Sequence, residues 1–178
     1  MSNVNTQTLI NIDDTRFIYA TNFSGDPARD RFGDSRRKVN LVIPSEEKAK
    51  ELTKMGFKVK KTKPKDGVDP DTFRPEYYLM VQTKYRDRFG NALKYPPKVC
   101  LVTNNNIVDL NEETVGCLDN IRVKNVNCIF NPRENDDGDG LSAFVRTMYV
   151  EQDMDDDPYA ARYRQRMAKA DELEEDPW

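Results

Sequence analysis

Short runs of β-forming residues, each closed by a cluster of turn residues, leave this chain little choice of architecture. Residues 16–23 are dense in β-formers and stop at Ser24-Gly25-Asp26-Pro27. Residues 37–43 begin by alternating and stop at Pro44; 57–60 alternate briefly; 77–82, 98–102, 119–130 and 141–150 read as further strands, the last after the turn 136–140. Residues 84–91 look like a hairpin, and 61–76, with Pro64, Gly67, Pro70 and Pro75, must be loop. One helix is expected. Ser45 is a hydroxyl N-cap, Glu46 and Glu47 face the positive end of the dipole, Ala49, Leu52 and Met55 form the apolar stripe, and Gly56 stops it. Six or seven strands without alternating helices predict an all-β chain, a closed or nearly closed barrel rather than a parallel α/β sheet.

Size and composition fix the rest of the frame. A chain of 178 residues with 37% hydrophobic and 33% charged side chains supports one domain, expected over residues 1–150, plus an appendage over 151–178. No apolar run approaches the roughly 18 residues of a membrane span, and the first residues lack a basic start and an apolar stretch. A soluble cytoplasmic protein is the expectation. The chain has no His, so neither a Ser-His-Asp nor a Cys-His nucleophile can be built from it. Cys100, Cys117 and Cys128 each adjoin apolar residues and read as free buried thiols rather than a zinc site. Asn135, Asp137, Asp139 and Gly140 partly match a calcium loop, but Arg146 stands where the bidentate Glu belongs, so a hairpin turn is expected. Asp13-Asp14 and Asp155–Asp157 lie outside any rigid cleft, which argues against a metal-dependent nuclease, and no phosphate-cradling glycine motif is present. No catalytic residue, metal or cofactor is expected.

The net charge of −3 hides a polarity. Residues 29–98 carry 19 basic against 10 acidic side chains, whereas residues 151–178 carry 4 against 10. Basic and aromatic residues interleave at Arg29, Arg31, Phe32, Arg36 and Arg37, and again at Lys84, Tyr85, Arg86, Arg88, Phe89, Lys94 and Tyr95. Single-stranded nucleic acid asks for this pair of ingredients: cations for phosphates and ring faces for unstacked bases. Phe17, Phe130 and Phe144, set within strand runs, are expected in the core. A protein-interaction barrel and an RNA-binding module remain open on the same residues. In the tail, Pro158 can open a helix that places Tyr159, Tyr163 and Met167 on one face. That stripe can dock on the barrel or on a second subunit, which leaves monomer and homodimer both open. The segment 171–178 is acidic, contains Pro177 and Trp178, and is expected to be flexible.

Four features together resemble the bacteriophage single-stranded DNA-binding proteins of the OB-fold type. They are the short helix after the second strand, the segment Gly116-Cys117-Leu118-Asp119-Asn120-Ile121 leading into a long strand, the late hairpin carrying residues 144–150, and the acidic tail with an aromatic end. Members generally end in Phe, from which Trp178 departs. The resemblance implies an OB-type barrel of five or more strands with one short helix. It also implies a non-catalytic protein that coats single-stranded DNA in phage replication and recombination, in the host cytoplasm. It assigns DNA contact to Arg29, Arg31, Phe32, Arg36, Tyr77, Lys84, Tyr85, Arg86, Arg88, Phe89 and Tyr95. Docking of replication and recombination proteins falls to Asp171, Glu172, Glu174, Glu175, Asp176 and Trp178.

Overall fold

Burial alternates residue by residue along β8 (Val123–Glu134), where Val126, Cys128, Phe130 and Pro132 point inward between half-exposed neighbours. That two-residue period makes the strand one wall of a barrel with a single core face. The computed structural model describes residues 8–154 together with Tyr159, Arg162, Tyr163 and Arg166. Its other strands are β1 (Ile10–Thr15), β2 (Phe17–Asn22), β3 (Lys38–Ile43), β4 (Lys60–Lys61), β5 (Tyr77–Gln82), β6 (Lys98–Thr103), β7 (Asn106–Leu110) and β9 (Leu141–Gln152). The one full α-helix among the described residues, α1, spans Glu46–Met55. Ser45 Oγ accepts from Lys48 N–H at 3.1 Å, and Gly56 ends the helix at φ 117°. Ala49 and Leu52 are buried, as the stripe predicts.

The hydrogen-bonded path runs β1-β8-β9-β5-β3-β2. Its two ends are consecutive in sequence with only Arg16 between them, and Val42 N–H of β3 donates to the Arg16 carbonyl at 3.0 Å. The sheet therefore curls back to the strand it started from. Around the enclosed axis lie Leu41, Leu52, Val81, Val99, Val126, Phe130, Met148 and Val150, all essentially without exposure. The mainly β barrel with one short helix follows the sequence expectation and has the partly open form of OB-type barrels. It is not closed, because β5 and β9 meet over only two parallel pairs, Val81↔Ala143 and Gln82↔Phe144.

That short seam makes the site. One edge of β9 is paired along its length with β8. The other edge is shared, by β5 up to Phe144 and by β6 from Thr147 onward. Between these partners the chain leaves the barrel as residues 83–97. This segment folds as the expected hairpin, closed by Asp87 N–H to Asn91 O and Leu93 N–H to Tyr85 O, both at 2.9 Å.

Two local expectations change. The strand expected from residue 119 begins at Val123, because Val115–Asn120 forms a 3-10 turn. In that turn residues three apart eclipse, so Val115 and Leu118 are buried together while Cys117 is exposed rather than buried. The turn at residues 135–140 is the plain β8–β9 connection, closed by Gly138 N–H to Asn135 O at 2.9 Å. Tyr159, Arg162, Tyr163 and Arg166 are helical. Met167 and the segment 171–178, with Asp171, Glu172, Glu174, Glu175, Asp176 and Trp178, lie outside the described residues.

Candidate nucleic-acid interface

Where β5 and β6 part along the edge of β9, an open groove of about 1020 Å³ separates the 83–97 hairpin from the ends of β8 and β9. Its lining includes the cations Lys84, Arg88, Lys94, Lys98, Arg133 and Arg146 against the carboxylates Asp87 and Asp136. Phe89, 74% exposed, and Tyr95, 81% exposed, stand on the hairpin rim, and Phe144, at the β5–β9 seam, lines the same groove. A second depression, of about 310 Å³, shares Lys84 and Phe144 with the first and continues to Arg36, Arg37 and Arg86.

The pairing of the cations separates two groups. Arg29 and Arg36 of the 23–37 loop, Lys38 just after it and Arg86 at the hairpin base are paired internally. Arg29 Nε stands 3.5 Å from Asp119 Oδ2, Arg36 Nε 2.6 Å from Asp34 Oδ2, Lys38 Nζ 2.9 Å from Asp30 Oδ1, and Arg86 Nε 2.7 Å from Glu112 Oε1. Among the described residues none of the six groove cations has such a carboxylate partner. Five of the six rest on rings instead: Arg88 lies 4.8 Å from the Phe89 centroid, Lys94 5.5 Å from Tyr95, Lys98 5.8 Å from Tyr149, and Lys84 and Arg133 5.8 and 5.7 Å from Phe144. Cations aligned this way keep their charge for an external anion and steady the rings beside them.

The 23–37 loop adjoins this groove through Arg36 and Arg37 and is tied down by side-chain carboxylates. The Asp119 carboxylate accepts from Phe23 N–H at 2.8 Å, Ser24 N–H at 3.0 Å and Thr21 Oγ1 at 2.7 Å, and so fixes the loop's start. Asp30 accepts from the Phe32 and Asp34 N–H groups, both at 2.9 Å. The Lys38 ammonium bonded to it, helped by the Asp34 N–H, holds its carboxyl down at about 2. Phe32 stands out of this frame 87% exposed, with the Arg31 guanidinium 5.7 Å from its ring.

The residues expected to contact DNA therefore divide. Lys84, Arg88, Phe89 and Tyr95 line the groove; Arg36 and Arg86 border its extension while ion-paired; Arg29, Arg31 and Phe32 line neither depression. Tyr85 is in the core rather than on the surface. It continues the inward course of Val81 and Thr83, keeps 7% exposure, and has the Arg37 guanidinium over its ring at 5.4 Å. Burial pushes its phenol up to about 12. Tyr77 shares the inward face of β5 with Leu79 and packs against the core near α1, well away from the groove; its neighbour Tyr78 faces outward. Phe144, expected in the core, is a groove residue instead. Its face of β9 is the one that carries Ser142 and Arg146, while Leu141, Ala143 and Val145 point inward. Lys98, Arg133 and Arg146 also line the groove, and the sequence reading did not single them out. The two-residue alternation around Phe144 and Arg146 was the signal that could have found them.

No helix among the described residues is long and apolar enough to cross a membrane. The structure resembles the C-terminally truncated single-stranded DNA-binding protein of bacteriophage Enc34, at 16% identity and TM-score 0.44 over 85% of this chain and 87% of that one. For another structure of the Enc34 protein the values are 15%, 0.43, 82% and 81%. No curated protein sequence matches the chain significantly. The model of the family described as "Putative phage ssDNA-binding domain" matches residues 1–176. A match over nearly the whole sequence, on a chain that gathers six cations and the rings of Phe89, Tyr95 and Phe144 along one groove, places it: the chain belongs to the phage single-stranded DNA-binding domain family.

Proposed function

We propose that this protein coats single-stranded DNA, without catalysis, in phage replication and recombination. Phosphates follow Lys84, Arg88, Lys94, Lys98, Arg133 and Arg146, and bases lie against Phe89, Tyr95 and Phe144. The observation that carries this reading is that these cations have no carboxylate partner among the described residues although carboxylates neutralise Arg29, Arg36, Lys38 and Arg86 beside them. A duplex hides its base faces, so exposed rings beside free cations favour the single strand, and stacking accepts every base. Arg31 and Phe32 extend the contact on the neighbouring loop. Residues 171–178 serve replication and recombination partners and, tethered to the groove's own chain, compete with DNA at low salt. The protein acts in the host cytoplasm as a monomer or homodimer.

The deciding experiment is a fluorescence titration with a dT oligomer of about 30 nucleotides at two salt concentrations, beside the matched duplex and RNA. Tight, salt-sensitive binding of the DNA strand with weak duplex binding is expected, and tighter binding at low salt once residues 171–178 are removed. Preference for RNA would replace DNA in this reading. No binding at low salt, even by the truncated protein, would overturn it and make the groove a protein-docking surface.

A further inference from the structure

Tyr19, in β2, has a left-handed backbone with φ 63°, a region that a side chain with a Cβ rarely adopts. Strained positions of this kind persist only where the surroundings hold them, and they gather at functional sites. Here the strain displays a ring. Tyr19 is 61% exposed and meets Tyr78 edge-on, with centroids 5.3 Å apart and planes at 79°. Tyr78 stands on the outward face of β5, and its partner across the β4–β5 ladder is Lys60. Lys60 is exposed and has no carboxylate partner among the described residues. The outward face of β5 continues from Tyr78 through Met80 and Gln82, and Gln82 pairs with Phe144 of the groove. At about 3.4 Å per residue, the six steps from Tyr78 to Lys84 cover about 20 Å.

We propose that Tyr19, Tyr78 and Lys60 form a second base-and-phosphate subsite, so that one strand of DNA leaves the groove past Phe144, follows the outward face of β5 and ends on the tyrosine pair. The inference rests on the groove being the single-strand site. It adds that the footprint is bipartite: a short strand occupies the groove alone, and a longer one engages both.

Length dependence tests it. Binding of the full-length protein to labelled dT oligomers from about 4 to about 16 nucleotides is compared for wild type, Tyr78→Ala and Tyr19→Gly. Glycine adopts a positive φ freely, so Tyr19→Gly removes the ring while easing the backbone, and a thermal melt checks that the fold is kept. The longest oligomers are expected to lose about fivefold or more in affinity in each variant, the shortest to bind as they do to wild type. Lys60→Glu, a surface change, should give the same length-dependent loss and stands in for a tyrosine variant that fails to fold. Unchanged affinity at every length would overturn the proposal and leave the tyrosines as cover for the sheet. An equal loss at every length in a stable variant would overturn it too, by merging them with the groove. If wild type binds no oligomer of any length, the groove reading fails first and takes this one with it.

Discussion

Phe144 shares the outward face of β9 with Ser142 and Arg146 and has Lys84 and Arg133 against its ring, whereas Tyr85 continues the inward course of Val81 and Thr83. Both are aromatic residues next to basic ones in sequence or space, yet their substitutions should separate cleanly. Phe144→Ala is expected to weaken single-strand binding about fivefold or more, the share of one stacked base, and to move the melting temperature little. Tyr85→Phe should leave binding unchanged and cost no stability, because the buried Tyr85 hydroxyl has no hydrogen-bond partner among the described residues to lose. Tyr85→Ala, which empties a core site, should cost about 3–5 kcal/mol in urea unfolding. If Tyr85→Phe weakened DNA binding while Phe144→Ala did not, the assignment of the two rings would be reversed.

At the scale of elements, the 23–37 loop owes its shape to carboxylates, and one of them sets an acid limit. Asp30 is held at about 2, first by the Lys38 ammonium and then by the Asp34 N–H. Its folded-state value lies below its ordinary 3.8, so its contribution is present above that ordinary value and is lost as pH falls from there toward 2. Lys38→Met should raise the Asp30 titration toward the ordinary value in a carbon-detected NMR pH series, and should loosen Phe32 and Asp34, whose N–H groups Asp30 accepts. An unmoved titration would mean that the backbone donors alone hold the carboxylate. The same elements show what a sequence can and cannot reveal. The helix, β5 and β9 were legible because caps, turn clusters and alternation are local. β1 was not: Ile-Asn-Ile-Asp-Asp-Thr reads as a polar lead-in and becomes a strand only through pairing with β8, more than a hundred residues away. β7 is hidden behind Asn104 and Asn105, which precede it, and Asn106, which opens it. The site followed the same division. Hairpin rings and cations declared themselves by interleaving, but the neutralisation of Arg29 by Asp119 depends on a contact across 90 residues. The choice between Tyr77 and Tyr78 is a one-residue question of face that only strand register settles.

For the whole molecule, a net charge of −3 would repel a polyanion if the charge were spread evenly, so binding must draw on local concentration. Six groove cations without carboxylate partners among the described residues provide it, and internal pairing removes Arg29, Arg36, Lys38 and Arg86 from the count. Each phosphate neutralised on a single strand contributes a slope of about −0.7 to log K against log salt. Six contacts therefore predict a slope of about −4, where a count that included every basic residue of the loop and hairpin would give a much steeper one. Individual variants sharpen the point. Arg133→Gln and Arg146→Gln should each lower affinity at every sequence tested and flatten the slope by about 0.7. Arg36→Gln should leave the slope nearly unchanged, because its guanidinium already faces Asp34 at 2.6 Å and the substitution frees that carboxylate rather than a phosphate. The measurement is a salt series with a dT oligomer long enough to fill the groove, run on all three variants beside wild type. A slope that flattened equally for Arg36→Gln and Arg133→Gln would show that the internal pairs open on binding. The DNA path would then have to be redrawn over the 23–37 loop.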